Sequence, residues 1–260
     1  MPDSLASAVA AAHEAGAVLL EYLHRPLHIQ EKGQRADLVT AADRESERVI
    51  VERLRRDFPH AGMLGEEGGT NAAAGGAHGD AGERWIIDPL DGTTNYAHGY
   101  PLFCISIAYE RDGEIEAAVV HAPLMRELFT ARRGGGASCN GTAIHVSPIA
   151  SISDAMVVTG FKPYDYETNA PYFAKASHHA QAVRRDGAAA LDLAYTAMGR
   201  FDAFWEFGLA PWDTAAGMLL VREAGGTVCA LDGSPFRLDG PSILASNANI
   251  HEQMRELLTR

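Results

Sequence analysis

The sequence predicts an α+β fold for a chain of 260 residues. The first half places two amphipathic helical patterns before several short apolar runs separated by turns, which is typical of a largely antiparallel sheet. The second half alternates helical patterns with single strands, which is typical of an α/β layer. We place a boundary near residue 147, so that an α+β domain over 1–146 precedes an α/β domain over 147–260.

Two helices are predicted before the sheet. Apolar residues recur at helical spacing between residues 4 and 23, and a second such stripe runs from Ala41 to Arg56. Pro59 lies past the end of the second helix, where a residue that cannot continue a helix is expected. The segment 71–82 consists mainly of Ala and Gly without periodicity, and we therefore expect a loop there.

Short apolar runs between turn residues predict the strands. Trp85 to Ile87 is such a run and leads directly into an aspartate. A meander is predicted over three further runs, at 103–109, 115–120 and 127–131, with a turn at Asp112-Gly113. In the second half, helices are predicted at 171–183, 188–198, 213–224 and 249–258, and strands near 156–159, 201–207, 227–230 and 243–245.

Composition limits the classes of function. The formal net charge is −12, so we expect no direct binding of nucleic acid, which needs a basic face. The three cysteines, Cys104, Cys139 and Cys229, form no C-x-x-C pair and are predicted to be reduced thiols. The amino-terminal segment lacks a basic start, and no apolar run approaches the ~20 residues of a membrane span. A cytoplasmic location without membrane contact is therefore expected.

The chemistry is predicted to lie at segment 88–93, whose sequence is DPLDGT. Asp88 closes the apolar strand, and the chain turns at Pro89 because proline cannot continue a sheet ladder. Asp91 follows on this turn, so we expect both carboxylates, and the carbonyl between them, on one side of a bend. The N–H groups of the next two residues would then face an anion. A functionless Asp-Gly turn is the alternative.

Three other segments contribute candidate acidic residues. Glu66 and Glu67 lie between glycines, which favours a loop over a helix surface. Asp213 precedes a run of small residues and fits a helix N-cap. Asp43 follows Thr40 at a capping-box-like spacing. For each segment the alternative to chemistry is structural, either a solvated loop or a helix cap.

A gathering of carboxylates predicts a divalent metal site. Like charges raise one another's pKa, so several carboxylates without a cation are costly to bring together. Hard oxygen ligands suit Mg²⁺ or Mn²⁺. Two such ions about 3.5–4 Å apart bind phosphoryl oxygens and activate a water. The G-x-S-x-G, P-loop and G-x-G-x-x-G motifs are missing from the sequence, which disfavours α/β serine hydrolases, P-loop NTPases and dinucleotide enzymes.

Taken together, these blocks resemble the inositol monophosphatase family. They follow the family's order, as Asp37 to Asp43, Gly65 to Glu67, Trp85 to Tyr96 and Pro211 to Gly217. The likeness extends over nearly the whole chain, and segment 184–195 together with Glu206 is most similar to the bacterial inositol-1-monophosphatases. The resemblance implies a layered αβαβα sandwich of the sugar-phosphatase type, assembled as a homodimer and inhibited by lithium.

The resemblance also implies a set of metal ligands. These residues would hold two or three Mg²⁺ ions, with Mn²⁺ as an alternative. The ligands would be Glu66, Asp88, Asp91 and Asp213 through their side chains and Leu90 through its carbonyl. Two more residues match positions near the ions: Glu67 would support the ligands or bind a weaker ion, and Lys32 would lie on a neighbouring loop.

Catalytic roles are implied in the same way. Thr93, oriented by Asp43, would position and deprotonate the attacking water, and Glu66 would share this task. The N–H groups of Gly92 and Thr93 would hold the phosphate.

Substrate contacts are implied at residues from both halves of the chain. The matching positions are Asp91, Gly187, Ala188, Ala189 and Glu206. The loop around them departs from the family pattern in two places. Asp186 stands where relatives usually carry an uncharged residue, and Ala188 replaces a frequent Ser or Thr, which removes one hydroxyl contact.

We therefore predict Mg²⁺-dependent hydrolysis of a small polyol phosphate monoester, first of all inositol 1-phosphate, by metal-activated water. Three alternatives share this chemistry: fructose-1,6-bisphosphatase, histidinol-phosphate phosphatase and 3′-phosphoadenosine 5′-phosphate phosphatase. A bisphosphate needs an additional cationic pocket, and the sequence shows no obvious one. A non-enzymatic alternative is binding to the transcription machinery through Arg184-Arg185 and Arg132-Arg133, for which a solvated or interface role is the simpler interpretation.

Overall fold

A computed structural model describes residues 2–23, 30–31, 38–39, 41–66, 69–71, 82–161 and 165–259. The helices are α1 Ser4–Tyr22, α2 Ala41–Asp57, α3 Thr93–Ala97, α4 Tyr166–His179, α5 Ala189–Ala197, α6 Pro211–Glu223 and α7 His251–Thr259. The first ten strands are β1 Gln30–Glu31, β2 Leu38–Val39, β3 Gly62–Gly65, β4 Gly69–Asn71, β5 Glu83–Asp91, β6 Cys104–Arg111, β7 Glu114–Ala122, β8 Glu127–Arg132, β9 Gly136–Cys139 and β10 Thr142–Ala143. The last five are β11 Met156–Thr159, β12 Ala182–Arg184, β13 Ala203–Phe207, β14 Thr227–Cys229 and β15 Ser242–Ser246.

The larger sheet has eight strands in the order β10-β9-β8-β7-β6-β5-β3-β4. Strands β5 to β10 pair antiparallel in sequence order, and β3 runs parallel to β5. The predicted meander is confirmed. Its first turn is made by Asp112 and Gly113, whose φ angles are 53° and 81°, as expected for an Asp-Gly hairpin turn.

Side chains alternate between the two faces of β5, and this alternation creates two hydrophobic cores. Trp85 and Ile87 pack with buried residues of α1 and α2, whereas Ile86 packs with buried residues of α5 and α6. Because residues 85–87 of β5 are apolar on both faces of the sheet, they form a continuous apolar run in the sequence. The larger sheet is therefore covered by helices on both sides.

The smaller sheet has five strands in the order β12-β11-β13-β15-β14. One face contributes Val158 and Phe204 to the core that contains α5 and α6, and the other contributes Val157 and Trp205 to a core with α4 and α7. The layers are thus α1/α2, larger sheet, α5/α6, smaller sheet and α4/α7. The predicted αβαβα sandwich is confirmed.

One local prediction in the second half, the position of a helix, is wrong. Helix α4 begins at Tyr166, with Pro171 inside it, whereas the predicted helix began at residue 171 and ran to 183. Asp165 caps the observed helix by accepting the Thr168 N–H at 3.4 Å. The helix ends at His179, and the next residues lead into β12. Strand β15 pairs antiparallel with both β13 and β14, so the smaller sheet is mixed.

The strands of the larger sheet end at Ala143 and those of the smaller sheet begin at Met156. The predicted boundary near residue 147 falls between them, but α6 packs against the larger sheet. The division into two domains therefore stays a prediction. In the described ranges, none of the helices combines the length and the apolar character needed to cross a membrane.

Candidate active site

The acidic residues of segment 88–93 lie at the carboxyl end of β5, where the sheet becomes irregular. The register between β5 and β6 shifts between Asp88 and Asp91, and Pro89 falls within this interruption, as expected for a residue without an N–H group. The Ser46 hydroxyl donates to the Pro89 carbonyl at 2.8 Å. Helix α2 therefore supports the bend that brings both carboxylates to one end of the sheet.

Asp88 is the buried acid of this bend, with only 1% of its surface exposed. Its carboxylate accepts the Leu90 N–H at 3.0 Å. Burial raises the pKa of Asp88 well above its ordinary value, and the charges of Glu66, Asp91, Asp213 and Asp43 raise it further. These four acids come to the neighbourhood of Asp88 from four places in the chain, namely the residue after β3, the end of β5, the first turn of α6 and the first turn of α2.

Asp91 connects the two halves of the chain. Its Oδ1 accepts the Ala189 N–H at 3.2 Å and its Oδ2 accepts the Ala190 N–H at 2.7 Å. These donors are the first free N–H groups of α5, where a negative charge is stabilised by the helix dipole. Burial nevertheless raises the pKa of Asp91 to about 6, against the effect of these hydrogen bonds.

Gly92 and Thr93 form the start of α3. Gly92 has a φ of 88°, and a Cβ there would lie 3.0 Å from the Leu102 carbonyl and 3.2 Å from the Ala188 Cβ. Both the conformation and the space therefore require glycine. The Thr93 hydroxyl donates to the Leu90 carbonyl at 3.1 Å.

Asn95 connects the loop at residues 186–189 to this turn. Its Nδ2 donates to the Leu102 carbonyl at 2.6 Å and to the Asp186 carbonyl at 2.8 Å. The second bond crosses from the first half of the chain to the second. The turn at residues 92–95 and the loop at 186–189 are thus held together by one amide group.

Asp213 lies at the start of α6 and is also a residue of the cleft. Its carboxylate accepts the Ala210 N–H at 2.7 Å, but Ala210 is the N-cap of α6 and Asp213 lies within the first turn. The predicted N-cap position is therefore wrong, because the helix begins at Pro211, two residues earlier than expected. The same residue lines the cleft beside Glu66 and Asp91.

The cleft has a volume of about 420 Å³. Nine of the predicted site residues line it, namely Glu66, Asp91, Gly92, Thr93, Gly187, Ala188, Ala189, Glu206 and Asp213. Asp88, Leu90 and Asp43 are buried beside it, exposed by 1%, 0% and 1%. Glu67 and Lys32 lie outside the described residues, as does Thr40.

The acidic residues fit hard divalent cations by their chemistry, since they offer only oxygen donors. Among the side chains that the structure describes, no three acidic, His or Cys residues are arranged as a finished metal site.

Arg185 is a residue of the cleft that the sequence analysis did not predict there. Its Nη2 donates to the Phe161 carbonyl at 3.3 Å, and Tyr166 lies close by on the cleft wall. The sequence showed no obvious additional cationic pocket, whereas the structure places the Arg185 side chain on the cleft wall. Segment 184–187 gave no local signal of this placement, because the Arg185 position depends on how β12 is set against β11.

The other arginine pair is engaged at the surface. Arg132 pairs with Asp3, and Arg133 pairs with Glu114 at 3.4 Å and with Glu116 at 3.2 Å. These contacts agree with a solvated role.

Comparison with known proteins places the chain among phosphatases. The sequence pattern of the inositol monophosphatase family matches residues 1–260. An inositol-1-monophosphatase of Rhizobium meliloti is 46% identical over 237 residues, which are 90% of this chain and 87% of that protein. A Nus factor SuhB of Pseudomonas aeruginosa is 43% identical over 254 residues, covering 95% of this chain and 92% of that protein.

Solved structures agree with the sequence relatives. The inositol monophosphatase of Anabaena has a TM-score of 0.86 at 43% identity, covering 98% of this chain and 94% of its own. The extragenic suppressor protein suhB of Bartonella henselae has a TM-score of 0.92 at 38% identity, with 98% of both chains covered. With this fold and this acidic cleft, the chain belongs to the inositol monophosphatase family of metal-dependent phosphatases and is a phosphoric monoester hydrolase.

Proposed function

We propose that the chain hydrolyses a small polyol phosphate monoester with Mg²⁺, and that inositol 1-phosphate is the first substrate to test. The observation that carries the proposal is the convergence of Glu66, Asp91 and Asp213 on one cleft, with Asp88 buried beside them. Acids gathered at this cost need a cation, and the cation in turn binds phosphate.

The metal ligands in this proposal are all oxygen donors. Two or three Mg²⁺ ions would be held by Glu66, Asp88, Asp91, Asp213 and the Leu90 carbonyl. When bound, such ions supply Lewis acidity and lower the pKa of a water. Mn²⁺ is the expected substitute, because it accepts the same ligands. Glu67 and Lys32 are proposed to act near the ions from the sequence alone.

The protein's own residues then orient the reaction. Thr93, held by its hydrogen bond to the Leu90 carbonyl, and Asp43 would orient the attacking water, and Glu66 would share in accepting its proton. Attack would form a bond from the water oxygen to phosphorus and break the ester bond, and the proton taken from the water would return, through Glu66 or solvent, to the leaving alcohol oxygen. The N–H groups of Gly92 and Thr93 would bind the phosphate oxygens, which the positive φ of Gly92 makes possible.

Polyol recognition is proposed for Glu206 and the backbone of Gly187 to Ala189. Glu206 is 7% exposed, and a carboxylate accepts hydrogen bonds from sugar hydroxyls. Gly160 makes room for it, because a Cβ there would lie 2.3 Å from the Glu206 carboxylate oxygens. The site therefore favours a substrate whose leaving alcohol carries further hydroxyl groups.

Release of inorganic phosphate from inositol 1-phosphate tests the proposal. We expect release that requires Mg²⁺, is abolished by Asp91→Asn and is inhibited by Li⁺. Asp112→Asn is the matched control, because it makes the same substitution in a second Asp-Gly turn that is exposed and outside the cleft. Activity in Asp91→Asn equal to that of the control would refute the assigned site.

The substrate class is tested by comparing kcat/KM over a panel. Fructose 1,6-bisphosphate, histidinol phosphate and 3′-phosphoadenosine 5′-phosphate represent the alternatives. Arg185 at the cleft makes the bisphosphates the strongest rivals, because a guanidinium binds a second phosphate well. A higher kcat/KM for a bisphosphate, lost in Arg185→Gln, would replace the inositol phosphate assignment.

A second candidate function is contact with the transcription machinery, favoured by the relatives named Nus factor SuhB. Recovery of RNA polymerase components by both the unaltered protein and Asp91→Asn would support a separate binding role. Failure of both to recover them would leave the enzyme alone. The homodimer and the cytoplasmic location are proposed with the family assignment, and size-exclusion chromatography with light scattering tests the former.

A further inference from the structure

A second cleft, separate from the catalytic one, lies between the larger sheet and α6. It has a volume of about 620 Å³ and shares no lining residue with the catalytic cleft. This volume is in the range of small-molecule sites. Its walls come from β5, β6, the turn that begins β7, helix α6 and segment 236–239.

One wall is an apolar face of α6. Pro211, Met218 and Arg222 are separated by seven and then four residues, so they lie on one side of the helix. Ile115, Phe236 and Leu238 complete the apolar lining. The cleft therefore offers an apolar surface that ends at a guanidinium group.

The charges of the cleft leave this guanidinium unmatched. Arg84 donates to Glu110 at 2.8 Å, and Arg237 makes two hydrogen bonds to Asp239. The remaining acid of the lining, Glu114, lies 3.4 Å from Arg133, which is not part of the cleft. Arg84 and Arg237 are thus paired with acids of the cleft. Glu114, the third acid, interacts with Arg133 outside the cleft.

Arg222 is the third arginine. Its guanidinium makes no hydrogen bond or ion pair with any residue in the described part of the chain. Its side chain is exposed to the cleft, yet surrounding protein lowers its pKa by burial, while the charge of Glu114 opposes this effect. Arg84 adds a second unused donor, because its buried Nε has no partner.

We infer that this cleft binds a small organic anion, such as a carboxylate with an apolar body, whose charged group pairs with Arg222. The apolar body would lie along Met218, Phe236 and Leu238. A guanidinium presents paired donors that match a carboxylate, and such charge-assisted bonds are strong where protein displaces water. This inference does not depend on the proposed phosphatase substrate.

Binding of 2-naphthoate, followed by calorimetry and by saturation-transfer NMR, tests the inference. We expect saturable binding that is independent of Mg²⁺, since the catalytic cleft is not involved. The neutral 2-naphthamide and the small anion acetate are each expected to bind at least about tenfold more weakly than 2-naphthoate. The naphthamide lacks the negative charge, and acetate lacks the apolar body.

Two variants assign the binding to this cleft. Arg222→Gln is expected to weaken 2-naphthoate binding about tenfold or more, whereas Arg56→Gln is expected to leave it unchanged. Arg56 is the matched control, because it is also an exposed arginine in the last turn of a helix but does not line the cleft.

Three results would overturn the inference. They are no saturable binding of 2-naphthoate at millimolar concentration, equal binding of the naphthoate and the naphthamide, and equal loss in the two arginine variants. The comparison of the two ligands uses the unaltered protein, so it decides the question even where Arg222→Gln fails to fold.

Discussion

Replacement of Asn95 by alanine tests whether this residue positions the loop at 186–189 for substrate binding, as distinct from stabilising the fold. The change removes the two hydrogen bonds from Nδ2 to the carbonyls of Leu102 and Asp186. At about 1 kcal/mol for each net hydrogen bond, the free energy of unfolding is expected to fall by about 2 kcal/mol. For a chain of this length that corresponds to a decrease in Tm of about 4–8 °C.

The functional effect of this replacement follows from the second of these bonds. Without it, the loop at 186–189 is no longer held to the turn at 92–95, and the substrate contacts are less well ordered before binding. An ordering cost of about 1 kcal/mol raises KM about fivefold. We expect kcat to change less than KM, since the metal ligands are not removed.

Asn247 provides the matched control for this experiment. Its Nδ2 also donates to two acceptors, Ser147 at 2.8 Å and the Ile149 carbonyl at 3.2 Å, and it does not line the catalytic cleft. Asn247→Ala is therefore expected to lower Tm at least as much as Asn95→Ala, with KM unchanged. An unchanged KM in Asn95→Ala, measured well below both melting temperatures, would refute the positioning role.

Three further predictions concern glycines and one ion pair. Gly92→Ala is expected to reduce kcat/KM about 100-fold, because its φ of 88° and a carbonyl 3.0 Å from the new Cβ force the turn proposed to bind phosphate to move. Wild-type activity would contradict this expectation. Gly217→Ala is expected to cost about 1–3 kcal/mol in denaturant unfolding, since its Cβ would lie 2.4 Å from the Leu193 Cβ. The hydrogen bond from Arg200 lowers the pKa of Glu127, so this pair stabilises the fold above the ordinary carboxyl pKa of 4.5 and ceases to do so as the pH falls through the lower folded value. Arg200→Gln is then expected to lower Tm at neutral pH and to change it little in acid, and an equal decrease at both would argue against the linkage.

Local patterns predicted the elements of the larger sheet well. The apolar run before Asp88 and the Asp-Gly turn at residue 112 are signals that act over a few residues, and both elements formed where they were expected. The start of α4 was mispredicted for the same reason. Pro171 favours the first turn of a helix, but the Asp165 cap upstream determines the observed start.

Which residues meet at the site could not be predicted from motif spacing alone. Glu66, Asp91 and Asp213 lie far apart in the sequence, and only the resemblance to a family suggested that they meet. Their convergence depends on how β3, β5 and α6 are stacked, which no short pattern encodes. Arg185 was missed at the cleft for this reason, since its place depends on the pairing of β12 with β11.

The central helical layer couples these distant acids. Helix α5 holds Asp91 through its first N–H groups, and α6 carries Asp213 in its first turn. The two helices approach closely at Gly217, where even a methyl group would overlap Leu193. Asp91 is held at one of these helices and Asp213 lies on the other, one turn from Gly217, so a change in the α5–α6 separation should move the two carboxylates relative to each other. For the proposed metal site, Gly217→Ala is therefore expected to reduce the affinity for Mg²⁺ as well as stability, although Gly217 does not line the cleft.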